Sequence, residues 1–349
     1  MNPVDAVPAP AVELTEAVEE LLRIAAAEGI TGNRRRLVRE LLMNAALLAG
    51  DPIDGLDLKI ASAALHEMRE AFRMFAPYES VSKVTIFGSA RITPESPLYG
   101  LTRDFAADMA GRGWMVVTGA GPGLMEAGME GAGRARSIGV SIQLPWEQRA
   151  NSIIAGDEKY VAMKYFFTRK LMLIKESRAF VCLPGGFGTL DETFELLTLT
   201  QTGKGLPVPI VLLEAPGHNY WEAVDRFLHE EVLSRGLVSP PDLDLYHVTR
   251  SVAEAVDELV RFYRNYHSIR FVGDDLVIRV HRAPGDAELA EMNERFAHLV
   301  VPGGRIERTG PLPLEVRDRD ALDLERIRMP FSKRGFAELR TMIDTLNQL

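Results

Sequence analysis

The chain has 349 residues, of which 46% are hydrophobic and 26% charged, and a formal net charge of −9. That length suits one large domain or two ordinary ones, and the composition is that of a soluble globular protein. The acidic balance argues against a nucleic-acid polymer as partner, while leaving room for an anion held in a local cradle. The single cysteine, Cys182, excludes an internal disulfide and a Cys-based metal site; it lies in an apolar run and reads as a buried structural thiol. No apolar run approaches the roughly 20 residues of a membrane span. The start of the chain is rich in proline and alanine and lacks the charged start and apolar core of a secretory signal. The expectation is a cytoplasmic protein with a disordered first dozen residues and no membrane contact.

From about Val12 to Ala76 the pattern is helical. Leu14, Val18, Leu21 and Leu22 recur at helical spacing, and Gly29 ends the run. Thr31 or Asn33 caps a second helix bearing Leu37, Leu41 and Leu42, which stops near Gly50. A third helix covers 56–75 and ends at Pro77. The cluster Arg34-Arg35-Arg36 reads as a solvated helix face rather than a phosphate or RNA site.

From Lys83 the pattern alternates between strands and helices. Strands are expected over 84–87, 114–118, 139–144, 179–183, 209–213 and 246–248. Helices are expected over 98–111, from Leu124 onward, and over 166–177, 189–202, 220–234 and 252–266. Near-continuous apolar strands alternating with helices indicate a doubly wound, Rossmann-like parallel sheet in an α/β domain. After about His267 the alternation stops: a hairpin turns at Gly273-Asp274-Asp275, 284–299 looks helical, 306–316 extended, and 331–349 ends in a helix. Pro302-Gly303-Gly304 reads as a plain turn. The predicted organisation is a start and helical extension over 1–80, a Rossmann-like domain over 81–266 and a small α+β appendage over 267–349.

Three glycine-rich loops fall at the carboxyl ends of predicted strands, where such sheets bind ligands. They are Gly88-Ser89-Ala90-Arg91, Gly119-Ala120-Gly121-Pro122-Gly123 and Pro184-Gly185-Gly186-Phe187-Gly188-Thr189. A strand, a glycine turn and a helix start together aim backbone N–H groups at an anion such as a phosphate. The second loop has its third glycine one residue too early for the dinucleotide fingerprint, and no Walker lysine follows any loop, which disfavours a dehydrogenase or a P-loop NTPase. Glu192 sits just inside the helix after the third loop. Arg169 lies on the helix before it, at the edge of the face formed by Phe166, Lys170 and Leu173, a setting that suits a surface or ion-paired residue. Asp191 points about 100° away from Glu192 on a helix and reads as a capping or surface acid. Glu126 reads as a helix-dipole acid, and Asn151 as a loop stabiliser or a ligand contact.

The motif Pro-Gly-Gly-x-Gly-Thr-x-x-Glu at 184–192 resembles the signature of the LOG (Lonely Guy) family, members of which carry the label of lysine decarboxylases. The 119–125 loop resembles the family's second glycine-rich signature, and Met163 to Met172 its arginine-bearing helix. The resemblance covers roughly 83–266, and the flanking segments make this a longer member. It implies hydrolysis of the N-glycosidic bond of nucleoside 5′-monophosphates, AMP or cytokinin nucleotides, to a free base and ribose 5-phosphate. It also implies a homodimer or higher homo-oligomer with the site near the subunit interface. By motif position, Arg169 and Glu192 are the catalytic pair. Gly185, Gly186, Gly188 and Thr189 hold the phosphate, Gly121, Gly123 and Met125 line the nucleotide site, and Ser89 contributes a contact. No metal and no cofactor is called for.

The chemistry fits the residues. Cleaving an N-glycosidic bond builds positive charge on the ribose, which a carboxylate stabilises while orienting or deprotonating water. Glu192 suits this when ionised, and Arg169 is expected either to lower its pKa or to contact the ligand. Two other readings remain open: a non-catalytic nucleotide sensor or carrier using the same cradle, and a decarboxylase. The latter needs a lysine Schiff base, and nothing marks Lys164, Lys170 or Lys175 as buried.

Overall fold

The computed structural model describes residues 9–25, 31–144 and 150–349; the first eight residues of the predicted disordered start, and the first helix's expected end at Gly29, lie outside the described residues. The chain divides into two compact units, up to His66 and from Glu67 onward. The first holds α1 (Ala9–Ala25), which begins three residues before the expected Val12, and α2 (Gly32–Leu47). The Glu19 carboxylate accepts from Arg35 at 2.6 Å and Arg39 at 2.9 Å, and Arg36 pairs with Glu40. The basic cluster is thus largely an ion-paired helix face. Thr31 holds the N-cap position of α2, but its hydroxyl makes no cap bond. The third helix, α3 (Gly55–Phe75), starts where the Asp54 carboxylate accepts from the backbone N–H groups of Leu56 and Asp57.

The second unit is built on a seven-stranded sheet. In chain order its elements are β1 (Lys83–Phe87), α4 (Pro97–Gly111), β2 (Met115–Thr118), α5 (Leu124–Ala132), β3 (Ser137–Ile142), β4 (Tyr160–Met163), α6 (Phe166–Lys175), β5 (Ala179–Cys182), α7 (Phe187–Gln201), β6 (Ile210–Leu213), α8 (Tyr220–Phe227), β7 (His247–Thr249) and α9 (Val252–Arg261). The strand order is β4-β3-β2-β1-β5-β6-β7, every pair parallel. Alternate side chains go to opposite faces of the pleat. Phe87, Val117, Phe180 and Cys182 meet Ala71 and Phe75 of α3 and Trp221 of α8 on one side. Val84, Ile86, Val116 and Val181 meet Phe105 of α4 and Leu259 of α9 on the other. Both faces are covered, which explains the continuous apolar strands. Cys182 is buried, as expected of it.

Some elements differ from expectation. The edge strand β4 was not expected: its apolar run Tyr160-Val161-Ala162-Met163 is only 4 residues long, and all but the last are half-buried at the edge of the sheet. The helix beginning at Tyr220 ends its α-helical part at Phe227 and continues as a π-helical turn over Leu228–Leu233. Helix α9 stops at Arg261, five residues short of the expected end, and Tyr266 opens a second sheet.

That sheet is antiparallel, ordered β10-β11-β9-β8. It comprises β8 (Tyr266–Val272), β9 (Asp275–Val280), β10 (Glu307–Thr309) and β11 (Glu325–Pro330), with helices α10 (Asp286–Arg295), α11 (Pro313–Asp318) and α12 (Glu338–Leu346). The hairpin turn at 273–275 is as expected. The extended run over 306–316 is corrected: only Glu307–Thr309 is a strand, and proline starts α11 at Pro313. Strand β11 was missed because Arg326 and Arg328 break its apolar pattern. They are matched by Glu315 and Glu307, so a fully buried Arg326 is tolerated. A separate core of Leu276, Ile278, Ile327, Met342 and Ile343 fills this layer. Among the described residues no helix is long and apolar enough to cross a membrane.

Candidate active site

The chain adds β2, β3 and β4 to one side of β1 and β5, β6 and β7 to the other, so the strand order reverses between β1 and β5. A crevice opens outside the carboxyl ends of strands at such a switch point. The three glycine loops follow β1, β2 and β5, three neighbouring strands. The β1 loop ties the other two together: Ser89 N donates to Pro184 O (3.3 Å), and Leu124 N donates to Ser89 O (3.0 Å). Gly123 has φ of +70°, and a Cβ there would sit 2.5 Å from Ser89 O and 2.7 Å from the Ala90 carbonyl carbon. This glycine is therefore required by the approach of two loops. The Ser89 hydroxyl accepts from Arg91 N (3.1 Å) and shapes the loop that presents Arg91.

Ala120 adopts φ of +58°, unusual for a residue with a side chain. Its N–H donates to Thr118 Oγ1 (3.0 Å), its carbonyl accepts from Asn151 N (2.9 Å), and Asn151 Nδ2 donates to Gly121 O (3.0 Å). Asn151 is thus a loop stabiliser.

In the third loop, a Cβ on Gly185 would lie 2.6 Å from Thr189 Cβ and closer still to its hydroxyl, so glycine is what admits the buried Thr189. Added Cβ atoms on Gly186 and Gly188 meet nothing within 4 Å. The space above the start of α7 is open, with free helical N–H groups facing it. Tyr220 OH donates to Gly185 O (2.8 Å) and fixes the loop from α8. Gly185→Ala is expected to push Thr189 out of place, costing about 1–3 kcal/mol of stability through overpacking. The same change should weaken anion binding; chemical denaturation and calorimetric titration with phosphate check the two effects.

Arg169 and Glu192 meet. Each is 8% exposed, and Arg169 Nη1 donates to Glu192 Oε1 at 2.9 Å. Arg169 Nε donates to Val140 O of β3 (3.0 Å), and its Nη2 packs against Gly119, where a Cβ would also lie 2.7 Å from Met125 Sδ. The surface setting that helical spacing allows for Arg169 is corrected: the side chain reaches inward under the β2 loop. Burial pushes the Glu192 carboxyl above the usual carboxylate range, and the charge and hydrogen bond of Arg169 pull it down only in part. Arg169 thus lowers the Glu192 pKa, as one of its two expected roles has it, but desolvation is the larger effect and sets the net direction. Burial likewise pushes the Cys182 thiol up to about 12, which leaves it inert.

A cavity of about 380 Å³ adjoins the pair, lined by Arg91, Gly119, Gly121, Met125, Ser141 and Arg169 among others. Of the expected binding residues, Gly121 and Met125 line it. Ser89 and Gly123 hold its wall from behind. Gly185, Gly186, Gly188, Thr189 and Glu192 are not part of its lining; they stand on the β5–α7 side, joined to it through Arg169. Arg91 is exposed, makes no ion pair among the described residues and lines the cavity together with Arg169. Reading the first loop for glycine alone overlooked Arg91; its place directly after Gly88-Ser89-Ala90 was the available signal. Asp191 is more than half exposed and pairs with Lys170 at 3.1 Å, as a surface acid does. Lys170 also pairs with Glu195 at 2.5 Å; burial works against its charge, but these carboxylates outweigh it and raise its pKa, the opposite of what a Schiff-base lysine needs. Among the described residues Lys83 is the lysine whose pKa is lowered on balance, chiefly by burial, and it lies at the amino end of β1, away from the loops. Among the described residues no group of three or more His, Cys, Asp or Glu side chains could hold a metal ion.

Fold and site define a Rossmann-like α/β protein with a crevice at the switch point and a buried arginine–glutamate pair whose arginine lines it. The chain belongs to the LOG family, whose model, described as "Possible lysine decarboxylase", matches residues 123–259. It is 29% identical over 177 residues to a cytokinin riboside 5′-monophosphate phosphoribohydrolase of Mycobacterium tuberculosis, covering 50% of this chain and 90% of that protein. It is 33% identical over 141 residues to an Arabidopsis thaliana protein named "Probable cytokinin riboside 5′-monophosphate phosphoribohydrolase LOG6", covering 39% of this chain and 67% of that one. Among solved structures, a molybdenum cofactor carrier protein from Chlamydomonas reinhardtii matches 52% of this chain and 98% of its own, at 20% identity and a TM-score of 0.35.

Proposed function

We propose that the protein hydrolyses the N-glycosidic bond of a nucleoside 5′-monophosphate, of the AMP or cytokinin-nucleotide type, to free base and ribose 5-phosphate. The observation that carries this reading is the buried Arg169–Glu192 pair, set between an open helix start and a cavity with two arginines. The phosphate lies over Gly185, Gly186, Gly188 and Thr189, and the nucleoside extends toward Gly121, Gly123 and Met125. As the bond from C1′ to the base nitrogen breaks, its electron pair leaves with the base and positive charge grows on the ribose. The Glu192 carboxylate faces that charge in a poorly solvated pocket, where its attraction is stronger than in water. Water adds its oxygen to C1′, Glu192 takes a proton from it, and that proton passes to the departing base nitrogen, which restores the carboxylate. A pKa raised toward the working pH makes Glu192 a stronger base than an exposed glutamate, provided it is ionised. Phosphate binding, remote from the bond that breaks, holds the ribose in place.

The names of the related proteins support this reading. Incubation with AMP, other nucleoside monophosphates and isopentenyl-AMP, with adenosine as the control lacking phosphate, and chromatography for free base tests it. Release of base from at least one nucleotide and not from adenosine is expected. Binding without release from any of them would make the protein a nucleotide sensor or carrier instead.

We also propose that it works as a homodimer or higher homo-oligomer. Helices α6 and α7 carry exposed Phe166, Phe167, Leu171 and Phe194, and Phe187 at the start of α7 is 93% exposed. So many exposed aromatic side chains beside a ligand site mark a contact surface. Phe167→Asp is expected to yield monomers in sedimentation velocity and to lower activity; a wild-type chain that is already monomeric at assay concentration would refute the proposal.

A further inference from the structure

Glu67 of α3 lies outside residues 123–259 that match the family model, and it is buried. Its carboxylate is directed at the start of α6. Oε1 accepts from Lys164 N (2.8 Å), and Oε2 accepts from Thr168 Oγ1 (2.7 Å) and, at 3.5 Å, from Tyr165 N. The first N–H groups of a helix have no partner within it, and a carboxylate there is favoured by the helix dipole. Tyr165 holds the N-cap position of α6 and its side chain makes no cap bond. Glu67 accepts not from those first helical N–H groups but from the two residues that precede Phe166, and from the Thr168 hydroxyl within the first turn, so it ties the entry of α6 to α3.

Thr168 is the neighbour of Arg169, and both lie in the first turn of α6. Arg169 has to satisfy Val140 O and Glu192 at once, at 3.0 and 2.9 Å. A shift of the helix start by an ångström would break one of these bonds. We propose that Glu67 is a positioning residue: by tying the entry and first turn of α6 to α3 it holds Arg169 against Glu192. This rests on the reading of Arg169 and Glu192 as the catalytic pair.

The test combines steady-state kinetics with a ¹³C titration of the Glu192 side-chain carboxyl in the full chain, the signal being assigned by its loss in Glu192→Gln. The variants are Glu67→Gln, Thr168→Val and Thr168→Ser. Glutamine keeps the shape, but its amide nitrogen must face one of the donors, so part of this tie is lost. Valine removes the hydroxyl and serine keeps it. The charged groups around Glu192 are Arg169 and Lys170 of α6 and Asp191 of its own helix, with the Cys182 thiol below it. If Arg169 loosens, its pull on Glu192 weakens and the Glu192 midpoint moves up. Glu67→Gln and Thr168→Val are expected to show that rise, with kcat lowered by about 10- to 100-fold and KM nearly unchanged; Thr168→Ser should match the wild type. An unmoved Glu192 midpoint in folded Glu67→Gln overturns the proposal, even if activity falls. Should the wild type release no base from any nucleotide, the hydrolase reading fails while the titration still decides the role of Glu67.

Discussion

Glu192→Gln is expected to bind a nucleoside 5′-monophosphate about as well as the wild type and to lower kcat by about three orders of magnitude. The amide keeps the volume and can still accept from Arg169, so the architecture of the site should persist. What is lost is the negative charge that faces the ribose and the group that takes the proton from water, effects worth about 10²–10⁴-fold each in other enzymes. The phosphate contacts proposed for the third loop are untouched, so KM should change little. For the wild type, the pH profile of kcat/KM carries the same information. Because burial outweighs Arg169, Glu192 stays protonated to a higher pH than an exposed glutamate of pKa 4.5. Activity that depends on the carboxylate should thus fall on the acid side at a pH above that value. An acid limb at or below it, or a Glu192→Gln variant with near-normal kcat, would remove Glu192 from the chemistry.

The glycine loops were legible in the sequence because each follows a short apolar run and precedes a helical pattern; their convergence followed from the rule for open parallel sheets. Arg169 and Glu192 entered through the spacing of the family's motifs. The residues that hold them were not legible. Val140 offers a backbone carbonyl, which no side-chain pattern reveals, and Glu67 acts across 97 positions of sequence. The net direction of the Glu192 pKa was not legible for a related reason. The opposing charge is visible in the motif, whereas desolvation depends on how deeply both side chains are packed. Strands β4 and β11 escaped notice because one is a half-buried edge and the other buries arginines against partners from distant segments. Local patterns therefore reported where the chain turns toward a ligand, and non-local packing decided how the reactive groups are tuned.

Arg169→Met should be the most damaging single change to the pair, acting on stability and activity together. Methionine fills part of the space under Gly119 but leaves Glu192 buried without its partner, and Val140 O loses its side-chain donor. Breaking a buried pair from one side costs about 3–5 kcal/mol when the remaining group stays charged. Glu192 has an escape, which is to take up a proton, and this fixes the sign of the pH dependence. Its folded-state pKa, already raised by burial, rises further once the lowering effect of Arg169 is gone. A group whose pKa is higher folded than unfolded favours the folded state most below its unfolded pKa, and that advantage is lost as pH rises through the folded one. The deficit of Arg169→Met against wild type is therefore expected to be small near pH 4.5 and to grow toward neutrality. Urea denaturation at about pH 5 and pH 7.5 measures it. In the same variant the acid limb of any residual activity should shift upward. A deficit independent of pH would mean that Arg169 contributes packing rather than charge, and that the carboxylate is kept ionised by some other group.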